Sequence, residues 1–227
     1  MPKSISKRSR ETAFRVPPAT KKKFQKRLLK WYGEFGRDLP WRRTLNPYKI
    51  LVSEVMLQQT QVDRVIPKFH EFLEKYPSLV DLAEARPEEV RKTWYPLGYN
   101  VRPYRLHSIA CEAVTRYGGN IPSKAEELLS MKGIGRYTAG AIRSFAFNQD
   151  APILDTNVMR VLFRVFFGTG NPQKHKNQLW EISETLIPRG RGYDFNQALM
   201  DFGATVCMAR TPKCHLCPMK DFCRTVS

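Results

Sequence analysis

Apolar side chains recur at three- to four-residue intervals along most of the chain, which is the spacing of amphipathic helices. In residues 21–35 the apolar positions are Phe24, Leu28, Trp31 and Phe35. Gly36 follows as a helix stop, and Pro47 begins a second helix that the pattern extends over residues 48–61. Later helices are expected to be separated at Pro67, Pro77, Pro87, Pro96 and Pro103. Because the alternation typical of strands is nearly absent, the pattern predicts an all-α fold with short connections.

The chain carries a strong positive charge. Its 227 residues include 38 Lys and Arg against 21 Asp and Glu, a net charge of +17, while 42% of the residues are apolar. This balance allows a folded core and favours a polyanionic partner, nucleic acid before an anionic membrane. No run of eighteen apolar residues and no signal-peptide core occur, so we expect no membrane segment and a cytoplasmic, nucleoid-associated protein.

The charge is concentrated at the start of the chain. Residues 1–30 contain eleven Lys and Arg but a single Glu. Residues 1–18 are therefore predicted to form a disordered basic arm, which would add salt-dependent attraction to phosphates.

A glycine-containing turn separates two helical stretches in residues 125–147. The turn reads Gly133-Ile134-Gly135 and is followed by Arg136. Glycines permit a tight turn and close approach to a ligand, and the N-terminus of the following helix can bind a phosphate. A plain helix connector is the alternative. In so basic a chain we interpret the segment as a helix-hairpin-helix phosphate clamp, which positions DNA without reading its sequence.

Two further features suggest chemistry. Asp155 follows an apolar run and precedes a helix, where an ordinary N-cap is the simplest interpretation. Four cysteines close the chain with the spacing C-x6-C-x2-C-x5-C: Cys207, Cys214, Cys217 and Cys223. Four thiolates suit zinc, but the uneven spacing with one C-x2-C pair favours an iron–sulfur cluster.

Together, the hairpin, the aspartate about twenty residues beyond it and the terminal cysteines resemble the helix-hairpin-helix DNA glycosylase superfamily. The resemblance runs from about Phe24 to the end of the chain, and the cysteine spacing is similar to the 4Fe–4S loop of endonuclease III and the adenine mismatch glycosylases. It implies two helical domains with a cleft between them. A six-helix barrel with the hairpin would cover residues 44–150, and a cluster domain would combine residues 19–43 with 151–227.

The resemblance also implies the catalytic residues. The segment KILVSEVMLQQTQ resembles the adenine mismatch glycosylases and supplies Glu54 as the acid, opposite Asp155 as the stabiliser of the developing sugar cation. Tyr137 and Asn157 would orient the carboxylates and the water. Because Tyr137 stands where glycosylase-lyases carry Lys, no Schiff base is expected. Asp155-Thr156-Asn157 stands where the family often has Asp-Gly-Asn, so the backbone conformation of this loop is expected to differ from the family's.

Further positions match the family's contacts with DNA. Those for the extruded base are Trp41, Arg42, Leu57 and Gln197, and for Gln197 a surface position is the alternative. Gln59 and Tyr99 resemble the wedge that replaces the extruded base, although Asn100 stands where the family often has a second tyrosine. Arg210 and Lys213 in the cysteine loop would face phosphates.

The target base has two candidates. The helix containing Glu54, together with Tyr99 and Gln197, favours removal of adenine opposite guanine or 8-oxoguanine from duplex DNA by a monomeric enzyme. The chain ends soon after Cys223, where adenine enzymes usually continue into a domain that reads 8-oxoguanine. The alternative is a thymine or uracil glycosylase acting on G·T and G·U. A DNA-binding module without catalysis is the alternative of another class.

Overall fold

The computed structural model describes residues 15–98 and 101–226, and this part of the chain is helical without strands. The eleven α-helices are α1 (Pro18–Phe35), α2 (Pro47–Met56), α3 (Val62–Lys75), α4 (Leu79–Glu84), α5 (Pro87–Trp94), α6 (Val101–Tyr117), α7 (Ala125–Ser130), α8 (Arg136–Phe145), α9 (Thr156–Phe166), α10 (Lys176–Leu186) and α11 (Gly192–Thr205). Short 3₁₀ turns occur at Pro40–Arg42, Pro172–His175, Cys214–Leu216 and Lys220–Phe222. The all-α prediction is confirmed.

The first helix packs against the C-terminal part of the chain. On α1, the Phe24 ring lies 5.5 Å from Phe166 of α9 and 6.2 Å from Phe195 of α11. Trp31 meets the ring of Phe202 edge-on at 5.2 Å. These contacts bury the apolar stripe of α1, which ends before Gly36 as expected. The boundaries of the two predicted domains stay a prediction.

Helices between α2 and α8 share the other part of the core. Phe72 of α3 packs edge-on against Trp94 of α5 at 5.8 Å, and α2 packs against α8 as well as α3 and α6. Phe145 of α8 meets Tyr193 of α11 at 5.7 Å. Through these contacts α8 lies beside both α2 and α11, the helices that later define the site.

Two expectations about helix ends are wrong. The helix predicted over residues 48–61 ends at Met56, and Gln59 has a left-handed backbone with φ of 57°. The helix ends early because of a tertiary contact: the guanidinium of Arg102, on α6, binds the carbonyl oxygens at that end. Pro67 lies inside α3, and Pro103 lies in the first turn of α6, so neither proline stands between helices. Burial of Val65, Phe69 and Phe72 contributes about 2 kcal/mol per side chain, which outweighs the one backbone hydrogen bond lost at a proline.

The junction between α8 and α9 depends on one glycine. A Cβ atom at Gly140 would lie 2.1 Å from the carbonyl oxygen of Pro152. The absence of a side chain therefore lets α8 approach the segment that leads into α9. This approach brings the first turn of α8, with Tyr137, close to the start of α9.

The predicted basic arm over residues 1–18 falls mostly outside the described residues. Arg15–Pro17 have no regular structure, and α1 already begins at Pro18. Of the described helices, none has the length and apolarity needed to span a bilayer.

Candidate functional site

A cleft of about 590 Å³ lies between α2, α8, α9 and α11. Its wall contains every catalytic and base-binding residue expected from the sequence, together with one wedge residue. These are Trp41, Arg42, Glu54, Leu57, Gln59, Tyr137, Asp155, Asn157 and Gln197. Tyr99, the other wedge residue, lies outside the described residues. Side chains as far apart in the sequence as Trp41 and Gln197 therefore share one cavity.

Glu54 is a carboxyl group in an apolar wall. It lies on α2 between buried neighbours, and only 4% of its surface is exposed. Burial raises its pKa to about 7, and the nearby charge of Asp155 adds to the rise. A hydrogen bond with Tyr137 and the charge of Arg42 oppose it. Glu54 is therefore able to hold a proton near neutral pH, which a general acid must do.

Asp155 combines two roles in one side chain. Its Oδ1 accepts a hydrogen bond from the backbone N–H of Val158 at 2.7 Å, which caps α9. Its Oδ2 accepts from Nδ2 of Asn157 at 3.2 Å. Burial raises the pKa of Asp155 above its usual value. These hydrogen bonds and the charge of Arg160 favour the ionised form and limit the rise. The N-cap interpretation is correct, and the same carboxyl group also lines the cleft.

Tyr137 and Asn157 hold the two carboxyl groups. Burial and the charges of Glu54 and Asp155 raise the pKa of Tyr137 well above its usual value, so its hydroxyl stays protonated. The hydroxyl lies beside Glu54 and donates to Sδ of Met200 at 4.0 Å. Asn157 accepts a hydrogen bond at Oδ1 from Arg160 at 2.7 Å. Each carboxyl group therefore has a neutral donor beside it.

The sequence interpretation missed Arg160. It lies one turn into α9, and its Nε donates to the carbonyl oxygen of Cys207 at 2.8 Å while one Nη donates to Asn157. The same Nη donates to Gly203 at 2.7 Å. Arg160 therefore connects the first cysteine to the neighbour of Asp155. Its helical spacing from Asn157 was visible in the sequence, but its partners on another helix were not.

Arg42 is tied to a buried carboxylate. Its two Nη atoms donate to the two oxygens of Asp201, each at 2.8 Å, and Arg37 donates to the same carboxylate. Burial alone would raise the pKa of Asp201, but the bonds and charges of these arginines lower it below its usual value. Arg42 lines the cleft, yet its terminal nitrogens are used by the protein itself. Its predicted contact with a base stays a prediction. Asp201 is fully buried on α11. An acidic residue among apolar positions of a helix was the signal in the sequence that a buried ion pair is present here, and it was not recognised.

Gln197 is buried in the cleft wall. It lies on α11 with 4% of its surface exposed, so the alternative of a surface glutamine is wrong. Among the described residues, none hydrogen-bonds its amide. Trp41 is equally buried and packs edge-on against Phe69 at 5.5 Å. The cleft therefore offers an amide that can both donate and accept, beside apolar walls.

The hairpin lies outside the cleft and has the expected shape. Gly133 has φ of 108°, and a Cβ atom there would collide with Arg105 at 2.5 Å. Ile134 is buried, and its N–H donates to Met131 within the turn, so this N–H is not free for a ligand. Gly135 is the N-cap residue of α8 and provides no side-chain cap, and the guanidinium of Arg136 lies 4.1 Å above the ring of Trp180. The first turn of α8 therefore has backbone N–H groups that no side-chain cap satisfies.

The four cysteines line a second cavity of about 110 Å³, shared with residues of α9 and α11. No three acidic, histidine or cysteine side chains in the described ranges come close enough together to hold one metal ion. Thiols arranged around a cavity fit a polynuclear cluster better than a single zinc ion. Arg164 donates to Sγ of Cys207 at 3.6 Å, and the N–H of Met219 to Sγ of Cys217 at 3.4 Å. Such bonds stabilise thiolate ligands. Arg210 and Lys213 are exposed on this loop.

Comparison with known proteins decides the family. Residues 52–185 match the model of the HhH-GPD superfamily base excision DNA repair proteins. The chain belongs to this superfamily. Residues 207–223, which begin and end at cysteines, match the iron–sulfur binding domain of endonuclease III. A 4Fe–4S cluster is therefore the cofactor, and the four cysteines are its proposed ligands.

The relatives of this superfamily member are named for two different activities. The adenine DNA glycosylase of Rattus norvegicus is 44% identical over 88% of this chain and 41% of its own length. The chain thus spans about two fifths of that relative. The thymine/uracil-DNA glycosylase of Methanothermobacter thermautotrophicus is 36% identical over 90% of this chain and 95% of its own length.

Solved structures show the same fold. A thermostable thymine-DNA glycosylase has a TM-score of 0.85 and 35% identity, covering 91% of this chain and 96% of its own. An endonuclease III trapped as a covalent intermediate on DNA has a TM-score of 0.80 at 23% identity, covering 93% and 98%. The second likeness concerns the fold alone.

Proposed function

We propose that the protein is a base-excision DNA glycosylase that removes adenine from mismatched duplex DNA by hydrolysis. The observation that carries the proposal is the pair Glu54 and Asp155 in one cleft, where burial holds a proton on Glu54 near neutral pH. Two carboxyl groups with opposite protonation requirements are a common division of labour in glycoside chemistry.

The reaction starts with extrusion of the base, since the bond to the sugar is inaccessible within the duplex. Glu54 donates its proton to N7 of adenine, which turns a poor leaving anion into a neutral base. The sugar gains cationic character as the C1′–N9 bond breaks, and ionised Asp155 stabilises it. Water then adds to C1′ and passes a proton to the carboxylate of Glu54, leaving an abasic site and restoring the acid. Asn157 and Tyr137 keep the two carboxyl groups aligned.

Adenine is favoured by the side chains that face the leaving base. A proton donor is useful for a purine with a basic N7, and the amide of Gln197 can pair with the N6/N7 edge. Gln197 is buried and unused by the described part of the protein. Gln59 projects from an exposed turn at the edge of the cleft, where a wedge is needed.

Thymine or uracil removal from G·T and G·U is the second candidate. The supporting observation is the likeness to two relatives of that name, which are 36% and 38% identical to this chain. The thymine/uracil-DNA glycosylases of Methanothermobacter thermautotrophicus and Pyrobaculum aerophilum are matched over 95% and 88% of their own lengths. Tyr137 fits both candidates.

The substrate test uses four duplexes that contain A·G, A·8-oxoguanine, G·T or G·U. Purified protein is incubated with each, and alkali then cleaves abasic sites. We expect product from both adenine duplexes. Product from G·T and G·U alone would show that the enzyme removes thymine or uracil and not adenine. No product from any duplex would mean that the protein is a DNA-binding module without catalytic activity.

We further propose that strand cleavage does not accompany base removal. Tyr137 occupies the position at which an amine would form an imine, and a phenol cannot do so. Borohydride added during turnover should therefore trap no protein–DNA adduct, and strands should stay intact until alkali is added. An adduct formed without alkali would contradict this prediction, and an authentic glycosylase-lyase serves as the positive control.

Contacts with the duplex are assigned to surfaces outside the cleft. The uncapped start of α8, with Gly133, Gly135 and Arg136, would bind one phosphate, and Arg210 and Lys213 would bind others. Monomeric state and association with the nucleoid stay predictions.

A further inference from the structure

One buried arginine binds two separate segments of the chain. Arg102 lies in the first turn of α6 with 2% of its surface exposed. Its Nη1 donates to the carbonyl oxygens of Val55, Met56 and Gln58 at 3.1, 2.8 and 2.5 Å. Its Nη2 donates to Oγ1 of Thr60 at 3.0 Å and to the carbonyl oxygens of Leu97 and Gly98 at 2.9 and 3.2 Å.

The arrangement gives the positive charge a stable position in the interior. The last carbonyl oxygens of α2 have no partner within the helix and carry partial negative charge. Burying a charge is costly unless hydrogen bonds compensate for the lost water. The planar guanidinium can bind acceptors on both sides at once, whereas an ammonium group on a flexible stem cannot span the same set.

The two segments are the ones that carry the proposed wedge. Residues 57–60, the turn after α2, present Gln59 with φ of 57° at the edge of the cleft. Residues 95–98 end at Gly98, with φ of 71°, directly before Tyr99. Other side chains also hold the second segment, since Arg64 donates to the carbonyl oxygen of Pro96 at 2.9 Å and Trp94 to that of Gly98 at 3.3 Å.

We propose that Arg102 is a positioning residue for base extrusion, because it fixes the turn after α2 relative to residues 95–98. The proposal rests on the proposed function for its consequence, and on the six hydrogen bonds for its mechanism. Arg102 is buried and is not among the residues that line the cleft. It acts by keeping Gln59 and the segment before Tyr99 at one spacing, so that both reach the base stack together.

Hydrogen exchange on the DNA-free protein tests the connection itself. We expect Arg102→Lys to speed amide exchange about tenfold or more in both residues 57–60 and residues 95–98. Arg64→Ala, the matched control, should affect residues 95–98 alone. Unchanged exchange in residues 57–60 of Arg102→Lys would overturn the proposal, whatever the protein does to DNA.

Extrusion is measured with the cleavage step removed. In the Asp155→Asn background, 2-aminopurine beside the mismatch reports unstacking by fluorescence, and we expect Arg102→Lys to slow that signal by up to about 100-fold. With Asp155 intact, Gln59→Ala and Arg102→Lys should be strongly non-additive in the single-turnover rate, because one acts through the other. Full additivity would overturn the positioning role.

Two controls separate positioning from plain destabilisation. Tyr48→Phe removes a buried hydrogen bond to the carbonyl oxygen of Tyr76 at the start of α2, the end opposite to the one that Arg102 binds, and it should lower stability without slowing extrusion. If Arg102→Lys does not fold, Thr60→Val removes one acceptor and should give the same pattern at smaller size. An extrusion rate in Thr60→Val equal to that of wild type would then count against the proposal. Absence of base removal by the wild type refutes the proposed function, while the exchange experiment still decides the connection.

Discussion

We expect Glu54→Gln to lower the single-turnover rate of base removal by about 10²–10⁴-fold, the range for loss of a general acid. The amide keeps the shape of the side chain on α2 but cannot give a proton to the leaving base. Binding of the mismatched duplex should change little, because Glu54 is buried in the cleft and contributes no phosphate contact. The measurement is single-turnover base removal together with a binding titration in the same buffer.

The same substitution should stabilise the protein at alkaline pH. The pKa of Glu54 is about 7 in the folded chain against 4.5 for the free side chain, so the folded state holds a proton that the unfolded state has lost. Stability from this group is present below pH 4.5 and is lost as pH rises to 7, a loss of about 3 kcal/mol. Glu54→Gln removes the loss and should raise the unfolding midpoint at pH 8 by roughly 5–10 °C, with little change at pH 4.5.

Glu74→Gln is the matched control for both measurements, because Glu74 is exposed on α3. It should change neither the rate nor the pH dependence of unfolding. Glu54→Gln with a wild-type rate would remove Glu54 from the mechanism. A lower unfolding midpoint for that variant at pH 8 would mean that the carboxylate is ionised and stabilised in the cleft.

Asp155→Asn should reduce base removal by about 10²–10³-fold or more while the protein still binds DNA. Asparagine is as good an N-cap as aspartate, so the hydrogen bond to the N–H of Val158 and the start of α9 are retained. The substitution therefore removes the negative charge beside the sugar without removing the cap. The readouts are the single-turnover rate, duplex affinity and the unfolding midpoint.

The control for Asp155→Asn separates capping from charge. Ser78→Ala removes the capping box of α4, a helix that does not line the cleft, and should cost about 1 kcal/mol of stability with a wild-type rate. Asp155→Ala should lose both stability, because the cap of α9 is removed, and the rate of base removal, because the charge is removed. Wild-type turnover in Asp155→Asn would refute the assigned charge, since the cap alone would then explain the residue.

Local sequence patterns predicted those structural features that depend on residues close together in the sequence. The stripe of α1 and its end at Gly36 follow from spacing and a single glycine, and the turn at Gly133 follows from its left-handed backbone. These features need little information from elsewhere in the chain. The family resemblance supplied the distant pairing of Glu54 with Asp155, which no periodicity contains.

Features set by tertiary contacts were out of reach. The helix containing Glu54 stops at Met56 because Arg102, nearly fifty positions later, binds its last carbonyl oxygens. The guanidinium of Arg42 is bound by Asp201 on α11, and Arg160 reaches the carbonyl oxygen of Cys207. Each contact joins residues whose spacing in the sequence carries no signal, so only the folded chain shows them.

The most direct test of the account is the pH dependence of single-turnover base removal from an A·8-oxoguanine duplex. Base removal by this mechanism requires protonated Glu54 and ionised Asp155, so the wild-type rate should fall about tenfold per pH unit above pH 7 and should also fall on the acid side. Glu54→Gln should lose the alkaline decline along with most of its activity. A wild-type rate that stays constant or rises from pH 7 to 9 would contradict proton donation by Glu54.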